Sequence, residues 1–82
     1  MLDEAKAIKA KDIVENPDDA YGLTRSHIII SDTSVGGSFS NMVDAINILY
    51  DMGWEAINMT YDSSYMFTLM KNSNYKRKNI AE

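Results

Sequence analysis

An 82-residue chain has room for one hydrophobic core and no second domain, and at this length folding buries only about 60–65% of the surface that the unfolded chain exposes. Cysteine is absent and histidine occurs once, which excludes disulfides, thiolate metal sites and a histidine-built zinc centre and leaves subunit association to supplement a thin core. The net charge of −4 is unevenly placed: eleven of the twelve acids but only four of the eight bases fall in residues 1–70, so an acidic body precedes a basic end carrying Lys71, Lys76, Arg77 and Lys78.

Leu2 to Glu15 is rich in Ala, Lys, Glu and Leu and free of Gly and Pro until Asn16-Pro17, which predicts a first helix stopped by the proline. Its apolar positions Leu2, Ala5, Ile8, Ile13 and Val14 make a ragged stripe, so residues 1–16 are expected to form a helical extension of the domain. Asn16 to Asp19 and Tyr21-Gly22 read as turn and loop.

Ser26 to Asp32 contains Ile28-Ile29-Ile30, a β-branched run that suits a first strand with apolar side chains on both faces. A small, polar connection through Gly36-Gly37 leads to a second helix from Phe39 or Ser40 to Met52. There Met42, Val43, Ala45, Ile46, Leu49 and Met52 recur at three- and four-residue spacings. Gly53 is placed to close that helix in the left-handed conformation, with Trp54 returning onto Leu49. Ala56–Tyr61 and Tyr65–Lys71 alternate as second and third strands around the short turn Asp62-Ser63-Ser64, and 72–82 reads as a basic, flexible tail.

The fold class expected is therefore α+β: an N-terminal helix followed by β-α-β-β, with one helix on one face of a three-stranded sheet in the order 1-3-2 and a single domain over 1–71 whose core is 26–71. The segment Asp44 to Lys71, with its helix closing on Met52-Gly53-Trp54-Glu55 before a two-stranded hairpin, resembles the small domains of unknown function numbered 4177. With the strand Ser26 to Asp32 ahead of the helix, the resemblance covers about half of the chain and implies an architecture but no activity. The first helix and the tail depart from that pattern.

Chemistry-bearing motifs are few. Gly36, Gly37, Ser38 and Ser40 lie where a strand runs into a helix N-terminus, an arrangement that either caps the helix or holds an anion. No Walker or Gly-x-Gly-x-x-Gly pattern accompanies them, and Asp32 and Asp44 oppose an anion. His27 has no nucleophile or acid arranged near it in sequence, and the aspartates lack the spacing of a metal loop. Tyr61, Tyr65 and Phe67 with Lys76-Arg77-Lys78 give a weak nucleic-acid pattern against an acidic body.

No run approaches the roughly 18 apolar residues of a membrane span, and no basic stretch followed by an apolar one marks a leader, so a cytoplasmic protein without membrane association is expected. The leading expectation is a non-enzymatic, self-dimerising module without cofactor or metal, pairing through Ile28, Ile30, Met66 and Met70 on a sheet face the second helix cannot cover. Ligand binding at the Gly36-Gly37 loop and weak nucleic-acid binding are the alternatives.

Overall fold

A computed structural model describes residues 2–34 and 38–75. Its elements are β1 (Ile8–Lys9), α1 (Ala10–Glu15), a 3-10 segment (Pro17–Gly22), β2 (His27–Thr33), α2 (Ser40–Asp51), β3 (Trp54–Asp62) and β4 (Tyr65–Asn72). The class is α+β, with four strands in one mixed sheet ordered β1-β2-β4-β3 where three strands were expected. β4 lies antiparallel between β2 and β3, while the two-residue β1 adds parallel to β2 through Ile8 opposite Ile30.

The N-terminal segment is the largest departure from the sequence reading. The expected helix over Leu2 to Glu15 is helical only from Ala10, because Ile8 gains more by pairing beside Ile30 and entering the core than by continuing a weakly amphipathic helix. Side chains hold the preceding turn: Asp3 Oδ1 accepts the Ala5 N–H at 3.0 Å, and Glu4 reaches across to the 24–25 loop. The segment packs into the core, where Ile8, Ala10 and Ile13 are buried in one cluster with Ile30, Met42, Ala45 and Leu49.

Glu4 is a clasp built from one carboxylate. Its Oε1 accepts the amides of Thr24 and Arg25 at 2.7 and 2.8 Å, and its Oε2 accepts the Thr24 hydroxyl at 3.0 Å. Partial desolvation pulls its pKa upward, but the two amides, the hydroxyl and the Arg25 charge together outweigh this and leave it below the ordinary 4.5. A depressed carboxylate stabilises the fold at neutral pH, and that contribution disappears as pH falls from the ordinary value through the lowered one. The amide proton resonances of Thr24 and Arg25 are expected to titrate together with a midpoint below 4.5 and to lose that titration in Glu4→Gln.

β-strand parity divides the sheet cleanly. Ile28, Ile30, Met66, Thr68 and Met70 face the helices, and the buried Thr68 hydroxyl lies 3.2 Å from Met42 Sδ, tying β4 to α2. His27, Ile29, Ser31, Tyr65, Phe67, Leu69 and Lys71 take the other face. Both helices contribute to the same buried cluster, so α1 covers the face that α2 covers and not its opposite.

The end of α2 follows the expected design. Gly53 has φ +96°, its N–H donates to the Tyr50 carbonyl at 3.0 Å, and Trp54 is buried in the cluster that contains Leu49. The hairpin between β3 and β4 turns on Ser63 and Ser64, with Ser63 at φ +57° as a two-residue loop demands.

Candidate functional site

The four residues first expected to form an interface are unavailable for one. Ile28, Ile30 and Met70 are 3%, 0% and 0% exposed and Met66 is half-buried, because this parity of β2 and β4 is the one packed beneath α1 and α2. Counting from either face alone, the sequence shows two apolar parities; which one the helices choose depends on long-range packing.

Large apolar side chains are instead exposed along the flank where α2 meets the edge strand β3. Phe39 packs edge-on against Tyr61, with ring centroids 5.7 Å apart, which fixes the side of the helix that looks over β3. Steps of four, three and four residues from Phe39 bring Val43, Ile46 and Tyr50 along that flank. On the strand, Met59 and Tyr61 stand opposite Thr68 and Met66 of β4 and therefore share the helix side. Val43 is 57%, Tyr50 67%, Met59 52% and Tyr61 61% exposed, and Phe39 and Ile46 are half-buried against the core.

β3 makes this flank an open edge. Among the described strands β4 alone pairs with it, every residue of β3 after Trp54 is exposed, and residues 56–61 carry no charge and no proline. A bulge interrupts the ladder between Ala56, opposite Met70, and Asn58, opposite Leu69, leaving Ile57 inserted and exposed. The signal in the sequence was the width of the apolar arc on α2, where Val43 and Tyr50 extend beyond the Met42, Ala45 and Leu49 stripe that the core uses.

At the start of α2 a carboxylate already occupies the position an anion would take. Asp32 Oδ2 accepts the Met42 N–H at 2.9 Å and Oδ1 accepts the Thr33 N–H at 2.9 Å, so β2 caps the helix across ten residues of chain. Gly36 and Gly37 lie outside the described residues, and Ser38 and Ser40 are exposed without a side-chain cap bond at Phe39. Asp32→Ala is expected to lower stability by about 1 kcal/mol, the usual cost of removing a helix N-cap, read as a lower urea midpoint at unchanged slope. Beside this cap a cleft of about 490 Å³ is lined by Lys9, Lys11, Ser31, Asp32, Thr33, Asn41 and Tyr65, and Lys11 there is already paired with Glu15 at 3.9 Å.

The remaining candidates are scattered. His27 is exposed, its Nδ1 lies 3.0 Å from Ser26 Oγ, and among the described residues no carboxylate partners its ring. Tyr65 and Phe67 stack with centroids 6.2 Å apart on the face away from the helices, whereas Tyr61 is on the helix side, so the three aromatics do not form one platform. Lys76, Arg77 and Lys78 lie outside the described residues. Among the described residues no group of three or more His, Asp or Glu gathers to hold a metal, and no helix is long and apolar enough to cross a membrane.

The described residues define a small α+β domain with a mixed four-stranded sheet, both helices on one face, and β3 at an edge paired to β4. Comparison with protein-family models, with curated proteins and with solved structures finds no match to this chain.

Proposed function

We propose that the chain is a non-enzymatic, cytoplasmic protein-association module whose partner is a second copy of itself. The observation that carries this reading is the apolar flank of Val43, Tyr50, Met59 and Tyr61 with Ile57 beside it. These side chains expose on the order of 600 Å², the upper end of what a typical monomer leaves in one apolar patch. A standard interface takes about 800 Å² from each partner, so the flank and the backbone of its strand supply nearly the whole of one. Isologous pairing about a two-fold axis is the commonest way for one patch to cover itself.

The face with Ile29, Phe67 and Leu69 is a weaker candidate, because polar side chains interrupt it on both neighbouring strands: Ser31 and Thr33 on β2, Asn58 and Thr60 on β3. The resemblance of residues 44–71 to the domains of unknown function numbered 4177 belongs to the same proposal and adds architecture only. Thermal unfolding over a dilution series tests the reading. Association that favours the folded state makes the midpoint rise with protein concentration, whereas a concentration-independent midpoint and a monomeric mass would remove it.

A further inference from the structure

We infer that the two copies join through their β3 edges, antiparallel and centred on Thr60, making one continuous eight-stranded sheet. The inference rests on the self-association reading and assigns its geometry.

Hydrogen-bond parity fixes which residues can take part. The Asn72 N–H donates to Ser26 and the Ser34 N–H to Ser64, so even-numbered positions along β4 and its flanks address β2; the Ser73 N–H donates to Gly53, so odd-numbered ones address β3. Alternation along an antiparallel strand then assigns Tyr65, Phe67 and Leu69 to Asp62, Thr60 and Asn58, their register partners. Met59 and Tyr61 are left with their N–H and C=O groups turned to the free side. The bulge at Ile57 breaks this alternation, which confines regular pairing to the stretch 58–62.

A two-fold axis must place outward groups opposite outward groups. Centred on Thr60, it sets Met59 of one copy against Tyr61 of the other, twice, and all four outward groups on each strand segment find partners. Both of these side chains lie on the helix side, so each thioether meets the second copy's tyrosine ring while Val43 and Phe39 close over the junction. Thr60 meets Thr60 across the axis on the other face, a favourable cross-strand pair. Asp62 falls opposite Asn58, and Glu55 lies beyond the paired stretch, so no like charges face each other. An axis midway between residues 58 and 59 would set Glu55 against Asp62 and turn inward-bonded groups outward, which the parity forbids.

The absence of cysteine makes the test direct. In this register the two Thr60 residues form a non-hydrogen-bonded pair with Cα atoms about 4.5 Å apart, within disulfide reach. Thr60→Cys, oxidised under native conditions, is expected to cross-link into a covalent dimer at least tenfold faster than Tyr21→Cys, an exposed control away from the edge. In the unmodified protein, exchange of the Met59 and Tyr61 amides is expected to slow as concentration rises. A dimeric mass with no cross-linking preference at Thr60 and no concentration-dependent protection would overturn the edge pairing and leave self-association standing. A monomeric mass at every concentration would end both.

Discussion

Gly53→Ala is expected to cost the fold about 2 kcal/mol or more, a fall of roughly ten degrees in melting midpoint for a domain of this size. Two effects add. At φ +96° a side chain enters the left-handed region, which costs roughly 1–2 kcal/mol in any residue with a Cβ. The new Cβ would also run into the Asn74 side chain, which lies over Gly53 beside the Ser73 N–H bond to the Gly53 carbonyl. The double variant Gly53→Ala with Asn74→Ala separates the two, since removing the Asn74 amide relieves the contact and leaves the backbone strain. If Gly53→Ala melted as the parent does, the helix closure described above would be wrong.

Val43→Lys combined with Met59→Lys is expected to weaken self-association at least a hundredfold, about 2.7 kcal/mol. The residues sit on the exposed flank of α2 and on the edge strand, so lysine is solvated in the single chain and costs its fold little. The two-fold axis brings the introduced charges of one copy close to the like charges of the other, and the apolar contact between Met59 and the second copy's Tyr61 is lost twice. Retained far-ultraviolet circular dichroism with a lower mass at equal concentration is the expected pair of results. A variant that stays dimeric would move the interface elsewhere on the surface.

Much of this fold could be read from local pattern. The stripe of Met42, Ala45 and Leu49 defines α2, Gly53 ends it, and the alternations on either side of Ser63-Ser64 define the hairpin. Residues 2–9 depart from the helix their composition predicts because helix propensity is a local quantity, and what decides their conformation is distant: Ile30 beside Ile8 and the Thr24 and Arg25 amides around Glu4. Asp32 as cap for Met42 is distant in the same way, whereas the serines of the connection were the local expectation.

The proposed association surface is legible in the sequence only in outline. That strands with two apolar parities exceed what one helix can cover was visible in Ile28-Ile29-Ile30 and in Tyr65 to Met70. The second strand parity, with Ile29, Phe67 and Leu69, stays on the sheet face away from the helices; Val43 and Tyr50 of α2 add further exposed apolar surface, and a bulge at Ile57 that no composition announces decides which side chains of β3 share the helix side. Parity and bulge are properties of paired strands, and a single strand read alone does not contain them.

Mass in solution at micromolar concentration, by light scattering or sedimentation equilibrium, distinguishes a self-paired domain from a monomer. The expected value is twice the 9.2 kDa of the chain, returning toward 9.2 kDa in the Val43→Lys, Met59→Lys variant. A parent protein that holds 9.2 kDa across that range would contradict self-pairing.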